Sequence, residues 1–201
     1  MKKYNIIYAD PPWRYNDRKC NGACENTMKI EEICNLPIKD IAADNCVLFL
    51  WTTYPMLQEA IQVINAWGFK YKTIGFQWIK LNKNVENVLF LQERNLFFGL
   101  GRWTRGNTEP CLIAVKGKPK RIKNNVSQII LEPISKHSKK PDIVRKKIVE
   151  LIGDLPRIEL FARNTSPGWD VWGNEVKCDI GFWDKDGNYK EEIIELKAGE
   201  E

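Results

Sequence analysis

Histidine is almost absent from this chain: His137 is the single one among 201 residues. Long apolar runs are also lacking, since the longest, Cys46 to Trp51, falls far short of the roughly 20 residues that a membrane helix requires. The first residues lack the layout of a signal peptide, so we expect a cytoplasmic protein. A mechanism with a histidine base is not indicated, because His137 is expected to line a surface loop.

Clustered metal ligands are lacking too. The six cysteines are scattered, and only Cys20 and Cys24 are close in sequence. No second pair and no histidine cluster completes a zinc set, so we predict no metal site and free thiols. Cys46 and Cys111 lie within apolar runs and are expected to be buried.

What the chain does have is charge of both signs, unevenly distributed. Residues 116–147 contain eleven Lys or Arg against two acids, whereas the residues after Trp183 contain seven acids and three Lys. The basic stretch could meet phosphate, and the alternative is an ordinary solvated surface. We expect a single domain at residues 1–183 and an acidic tail at 184–201.

Strand-like and helix-like segments alternate along the chain. Predicted strands cover residues 5–9, 46–51, 73–80, 111–115 and 157–162, with one more short strand within 169–176. Predicted helices are a short one capped by Thr27, one from Pro55 to Gly68 whose apolar face includes Leu57, and one over residues 141–152. Residues 82–109 form a loop too long to be a simple connection. This order predicts an α/β fold with a mostly parallel sheet and a ligand site at the carboxyl ends of the strands.

The most informative stretch is Asp10-Pro11-Pro12-Trp13, which directly follows a buried strand. It places a carboxylate at the edge of the sheet beside stiff backbone and an aromatic plane. If Asp10 and the Pro11 carbonyl each accept one N–H of an adenine amine, the nitrogen lone pair becomes available. Trp13 could then stack on the base. The alternative is a turn that ends a strand, with a core tryptophan.

This tetrapeptide and several further blocks resemble the MT-A70 family of adenine methyltransferases. The resemblance covers roughly residues 4–180. Its blocks are Leu48 to Thr52, Ala66 to Phe69, Trp78-Ile79-Lys80, Asn107 to Gly117, Ser138 to Asp142, Ile158 to Arg163 and Gly168 to Glu175.

The resemblance implies a Rossmann-like methyltransferase that uses S-adenosyl-L-methionine, with its sheet motifs in permuted order. It implies catalytic roles for Asp10, Pro11, Pro12 and Trp13. The cofactor-binding residues that we predict are Asp10, Lys140, Glu159, Phe161, Arg163, Asn164, Asn174, Glu175, Asp179 and Ile180. Lys140 could instead be a surface lysine, and Glu159 a structural strand residue. Cys178-Asp179-Ile180 resembles an element that holds the cofactor's adenine in some relatives; the alternative is a solvent-facing extension.

The substrate is predicted to be adenine in a nucleic acid, with DNA favoured and RNA as the alternative. The substrate-binding residues that we predict are Trp13, Tyr15, Arg102, Trp103, Arg105, Asn107 and Glu109. Many relatives have a tyrosine just before the position of Thr27, where this chain has Asn26, so Tyr15 could supply the missing aromatic group. A base within a duplex has to be flipped out to reach such a pocket.

Two rival functions remain open from the sequence. One is a non-catalytic nucleic-acid-binding subunit, which usually lacks the acidic tetrapeptide that is intact here. The other is amino-methylation of cytosine, whose motif more often begins with Ser or Asn. The sequence also leaves the oligomeric state open, a homodimer included.

Overall fold

We describe a computed structural model of the chain for residues 2–15, 27–85, 91–101, 103–135, 139–183 and 189–190. Its strands are β1 (Tyr4–Ala9), β2 (Ala42–Trp51), β3 (Lys70–Leu81), β4 (Thr108–Lys116), β5 (Ile129–Pro133), β6 (Arg157–Leu160), β7 (Asp170–Trp172), β8 (Phe182–Trp183) and β9 (Tyr189–Lys190). Its α-helices are α1 (Ile30–Cys34), α2 (Ile38–Ile41), α3 (Leu57–Ala66) and α4 (Ile143–Ile152). Short 3₁₀ turns cover Tyr54–Met56 and Glu93–Asn95.

Seven strands form one sheet in the order β5-β3-β4-β2-β1-β6-β7, and β8 pairs with β9 separately. β1 is parallel to both β2 and β6, β6 to β7, and β3 to β5. β4 alone in this sheet runs antiparallel to its neighbours β2 and β3. The mostly parallel, Rossmann-like α/β sheet predicted from the sequence is therefore confirmed, with the Asp10 strand first in the chain and β6 late.

Helices cover the two faces of the sheet. One apolar cluster joins α1, α2 and α3 to the side chains of Ile7, Leu48 and Leu50. The other joins α4 to Ile6, Phe49 and their neighbours on the opposite face. Because successive side chains of a strand point to opposite faces, central strands covered on both sides must be apolar throughout. This is why β1 and β2 read as uninterrupted apolar runs.

Several predicted boundaries are wrong. The first helix begins at Ile30 and not next to Thr27, because Met28 pairs with Trp13 and its backbone N–H donates to the Pro12 carbonyl at 2.9 Å. Leu57 is 40% exposed, since the buried face of α3 runs through Ala60, Val63 and Ile64. β5 and α2 were not predicted at all.

The remaining predictions on buried and membrane-spanning segments have clear outcomes. Cys46 and Cys111 are buried free thiols, as expected. Cys20, Cys24 and His137 lie outside the described residues. In the part of the chain that is described, no helix has the length and apolarity needed to cross a membrane.

Candidate active site

Asp10 occupies the carboxyl end of β1, at the centre of the sheet edge. The loop after it is tied down by two backbone hydrogen bonds: Trp13 N–H donates to the Pro11 carbonyl and Met28 N–H to the Pro12 carbonyl, both at 2.9 Å. A carbonyl oxygen has two lone pairs, so Pro11 can accept one further N–H. The loop is thus rigid, as its two prolines predict, and it presents an acceptor beside the carboxylate.

Asp10 is one member of a chain of four charged side chains. Lys140 Nζ lies 2.8 Å from Asp10 Oδ2 and 2.9 Å from Glu109 Oε1. Lys80 Nζ lies 2.7 Å from Glu109 Oε2. One member comes from each of β1, β3, β4 and the segment before α4. β4 runs antiparallel to β2 and β3, so it begins at the edge of the sheet where those two strands end. Glu109, predicted on the substrate side, and Lys140, predicted on the cofactor side, therefore meet at Asp10.

These charges shift one another's ionisation. Burial raises the pKa of Asp10, although Lys140 opposes the shift, and the nearby Glu109 raises it further. Burial also acts to raise the pKa of Glu109, but Lys140 and Lys80 outweigh it, so that the pKa is lowered. The two carboxylates raise the pKa of Lys140 despite its burial. Lys140 stays cationic at neutral pH, and Asp10 is the more basic carboxylate.

Trp13 lies in the core and not on the surface of the site. Its side chain is 6% exposed, and its indole N–H donates to the carbonyl of Trp51 at 3.1 Å. Trp51 is itself buried below Lys140, with Nζ 5.6 Å from the ring centroid. This placement matches the alternative of a core tryptophan; a stacking role for Trp13 remains a prediction.

Tyr15 is half-buried next to the charged cluster. Its hydroxyl lies 2.8 Å from the hydroxyl of Thr53. Burial raises the pKa of Tyr15, and Glu109, Lys140 and Asp10 are near enough to influence it. It is well placed to be the aromatic side chain that the sequence otherwise lacks at this edge.

The ends of β6 and β7 form the other half of the edge. Phe161 has a positive φ of 60°, which is uncommon for a bulky residue and marks a constrained turn. Ala162 N–H donates to the Trp172 carbonyl at 2.9 Å, and a Cβ on Gly173 would collide with the Ala162 backbone. The two strand ends are therefore packed with no room for a side chain between them.

Four predicted cofactor residues are exposed beside this turn. Arg163 Nε and Glu175 Oε1 form an ion pair at 2.6 Å, and Asn174 adjoins it. Asn164 is exposed next to Arg163.

Two other predicted cofactor residues have structural contacts. Both oxygens of the Glu159 carboxylate bind the Arg145 guanidinium, at 2.6 and 2.7 Å. The Asp179 carboxylate accepts the Val171 N–H at 2.8 Å, and Asp179 N–H donates to the Val171 carbonyl. Ile180, next to it, packs against the apolar cluster of α3. The geometry of Glu159 is that of the structural strand residue named as its alternative.

The predicted nucleic-acid contacts divide into two groups. Trp103 and Arg105 are exposed in the segment that leads into β4, and the Asn107 carbonyl accepts the Lys80 N–H at 2.9 Å. Arg102 lies outside the described residues. The basic stretch over residues 116–147 is itself divided. Its first part, from Lys116, starts where β4 ends, at the opposite edge of the sheet and roughly 30 Å along the strand from the site. Lys140, later in the same stretch, binds Asp10.

Lys80 was missed as a site residue. It belongs to the Trp78-Ile79-Lys80 block, and its Nζ lies 5.0 Å from the Trp78 ring as well as beside Glu109. A cavity of about 300 Å³ adjoins the cluster; it is lined by Glu132, Pro133, Ser135, Lys139, Lys140, Pro141, Asp142 and Ile143.

The permuted Rossmann-like sheet, with an acidic Pro-Pro loop at its carboxyl edge, defines a methyltransferase domain. Comparison with known proteins identifies which kind. The profile of the MT-A70 family matches residues 4–175, and the chain belongs to this family of adenine N6-methyltransferases.

Individual relatives agree with this assignment. Type II methyltransferase M.MunI of Mycoplasma sp is 36% identical over 198 residues, covering 87% of this chain and 78% of that protein. The N(6)-adenosine-methyltransferase catalytic subunit METTL3 of Homo sapiens is 29% identical over 179 residues, covering 88% of this chain and 29% of that protein. N(6)-adenine-specific methyltransferase METTL4 of Homo sapiens is 30% identical over 187 residues, covering 87% and 38%. The chain thus spans most of the Mycoplasma protein but less than two fifths of the two human ones.

Proposed function

We propose that this chain transfers a methyl group from S-adenosyl-L-methionine to the N6 amine of adenine in DNA. The observation that carries the proposal is the position of Asp10, which lies at the sheet edge with one carboxylate oxygen bound to Lys140. Within the described part of the chain, its Oδ1 takes part in no ion pair or hydrogen bond.

The acceptor side of the reaction follows from this geometry. Asp10 Oδ1 and the Pro11 carbonyl can each accept one of the two N–H groups of the amine, which leaves the nitrogen lone pair directed toward the methyl donor. The nitrogen–carbon bond forms as the sulfur–carbon bond breaks, and the nitrogen then loses a proton to Asp10 or to water. Because burial raises the pKa of Asp10, its carboxylate is a better proton acceptor than a free aspartate.

The donor side fits residues at the ends of β6 and β7. S-adenosyl-L-methionine supplies an activated methyl group on a cationic sulfur. Lys140 has three N–H donors, of which Asp10 and Glu109 take two, so one remains for the methionine carboxylate. Exposed Asn174 and Glu175 suit the ribose hydroxyls, beside Arg163, Asn164 and the constrained turn at Phe161. We assign the adenine to Asp179 and Ile180, and positioning supplies most of the rate enhancement.

DNA is favoured as the substrate because the Mycoplasma type II methyltransferase matches along most of both chains. The chain matches only 29% of the N(6)-adenosine-methyltransferase METTL3, so the rest of that protein has no counterpart in this match. Methylation of RNA is the alternative. The proposal also includes a cytoplasmic location, a catalytic domain over residues 1–183 and a separate acidic tail; β9 pairs with β8 across that boundary.

The test is incubation with isotopically labelled S-adenosyl-L-methionine and separate DNA and RNA pools, followed by nucleoside analysis. We expect N6-methyldeoxyadenosine in DNA and no labelled nucleoside in RNA. N6-methyladenosine in RNA alone would replace DNA by RNA, and methylated cytosine would refute the adenine assignment.

The matched variant is Asp10→Ala. It should reduce turnover by at least about 100-fold, since it removes both a hydrogen-bond acceptor for the amine and the group that takes up the amine's proton. Binding of labelled cofactor to this variant, measured directly, should persist through Lys140, Asn174 and Glu175. Wild-type turnover in Asp10→Ala would exclude this carboxylate from the reaction, and inactivity of the wild-type chain on both pools would favour a non-catalytic subunit.

A further inference from the structure

Two large apolar side chains are unusually exposed in the segment that leads into β4. Gly99 and Gly106, which lie on either side of them in sequence, form a bridge in which the Gly99 N–H donates to the Gly106 carbonyl at 2.9 Å. Between these two glycines, Trp103 is 99% exposed and Leu100 is 85% exposed. One exposed apolar side chain needs no explanation, but two large ones on a single tight turn indicate a surface that meets a partner.

The turn is built to hold this shape. A Cβ on Gly101 would collide with the Thr104 carbonyl oxygen, and one on Gly99 would lie 2.5 Å from the Gly106 carbonyl oxygen. Both positions therefore require glycine, because the backbone passes too close for any side chain. The backbone at these two glycines is closely packed, and a packed backbone loses less conformational entropy when a neighbouring side chain binds a partner.

The base of the turn is joined to the active site. Lys80 accepts the Phe97 N–H at 2.8 Å through its carbonyl and donates its own N–H to the Asn107 carbonyl at 2.9 Å. The same Lys80 binds Glu109 through its side chain. Six residues separate Trp103 from Glu109, which limits the distance between their backbones to roughly 20 Å. That is about six base-pair steps of a duplex.

The charge around the turn selects the partner. In sequence, exposed Arg94 precedes the apolar residues and exposed Arg105 follows them, and Glu93 is the acid next to Arg94. A flat apolar side chain between cations fits a stack of bases bordered by phosphates. To reach the acceptor pocket at Asp10, the target base must leave the base stack of the duplex. Its departure opens a gap in the stack of about the size of an aromatic ring.

We propose that Trp103 is a wedge that enters a DNA duplex and stacks in the place that the target adenine vacates. This inference rests on the proposed function and specifies its substrate as paired DNA. Trp103 is a positioning residue in this scheme, since it stabilises the flipped state and does not touch the reacting amine.

The experiment compares Trp103→Ala and Trp103→Phe with the wild-type chain on three forms of one DNA sequence that the wild type methylates. The forms are a paired duplex, the same duplex with an abasic site opposite the target adenine, and the target strand alone. Leu155→Ala is the matched control, because Leu155 is a 40% exposed apolar residue at the opposite edge of the sheet. Stacking on one base corresponds to about 5- to 150-fold in affinity.

We expect Trp103→Ala to lower kcat/KM on the paired duplex about 10-fold or more and to leave the other two forms within about twofold of wild type. Trp103→Phe should recover most of the loss. In a binding measurement, 2-aminopurine at the target position should become more fluorescent with wild type than with Trp103→Ala. These results would support the wedge and are independent of how the methyl group is transferred.

Other outcomes would overturn the inference in distinguishable ways. An equal loss on the single strand would assign Trp103 to binding of unpaired nucleic acid. A wild-type dimer that becomes a monomer in Trp103→Ala, measured by light scattering, would assign the turn to contact between copies. Unchanged kinetics on all three forms would remove any role in flipping while leaving the methyltransferase proposal intact, whereas an inactive wild type would refute that proposal itself.

Discussion

Replacing Arg145 by methionine should destabilise the fold strongly. Arg145 binds both oxygens of Glu159, and their side chains are only 15% and 10% exposed. Methionine keeps much of the apolar contact of the arginine stem but leaves the Glu159 carboxylate buried without its cation. The perturbation therefore breaks the charge pair between α4 and β6, together with the ion pair of Arg145 to the 62% exposed Asp142 and its contact with the Tyr8 ring.

The size of the effect follows from the burial. Breaking a buried pair by removing one partner costs about 3–5 kcal/mol, and the remaining exposure of Glu159 places this case near about 3 kcal/mol. For a domain of this size, such a loss lowers Tm by roughly 6–12 °C. The double variant Arg145→Met with Glu159→Gln should recover at least half of the loss, because no buried charge then lacks a partner.

The assay is urea and thermal unfolding of the purified chain, with Lys123→Met as the control. That variant breaks the ion pair between Lys123 and Glu150, whose side chains are 52% and 43% exposed. It should change the free energy of unfolding by less than about 1 kcal/mol. A loss below 1 kcal/mol in Arg145→Met would refute the view that Glu159 depends on this partner.

The same variant carries a pH signature. Burial raises the pKa of Glu159 while Arg145 lowers it, so removing Arg145 should raise the pKa of the folded state further above that of the unfolded chain. Between these two pKa values the folded state holds more protons, and its stability increases as the pH falls. The deficit of Arg145→Met should therefore shrink between pH 8 and pH 5, and a deficit that grows over this range would contradict the argument.

Two further predictions concern close packing and thiol burial. Gly173→Ala should lower the free energy of unfolding by about 2 kcal/mol, because the added Cβ would collide with the Ala162 backbone between β6 and β7. It should also weaken the binding of S-adenosyl-L-methionine, measured by calorimetry. Unchanged stability would show that the strand ends are less closely packed than the structure indicates. Burial raises the pKa of the Cys46 thiol to about 12. Alkylation of the folded chain at pH 8, followed by peptide mapping, should therefore label the half-buried Cys178 well before Cys46. Equal labelling rates would contradict the burial of Cys46.

Local patterns predicted the central fold well. The apolar runs that became β1 and β2 could be recognised because strands buried on both faces leave no alternation to confuse with a helix. Asp10 could be placed at the sheet edge for the same reason, since its two following prolines end the strand. β5 was missed because its few apolar residues follow a basic stretch and precede Pro133.

The site was predicted in part. The prediction named Asp10, Lys140 and Glu109, but it assigned Asp10 and Lys140 to the cofactor and Glu109 to the substrate. The contacts of Lys80 and Arg145 were not predicted, because each ion pair joins residues whose separation in the chain says nothing about their distance in space. The basic stretch over residues 116–147 was expected to meet phosphate or to be a solvated surface, and the antiparallel direction of β4 places its first part at the other edge, whereas Lys140 lies at the site.

By itself, the sequence determined the sheet strands other than β5, the acidic loop and the kind of chemistry, since each depends on residues that are neighbours in the chain. Only the tertiary structure decided that Lys140 joins Asp10 to Glu109, that Glu159 is held by Arg145, and that Trp103 is almost fully exposed. These features depend on how β4 and α4 lie across the sheet. Side chains become partners there because packing brings strand ends together, and no local pattern records that proximity.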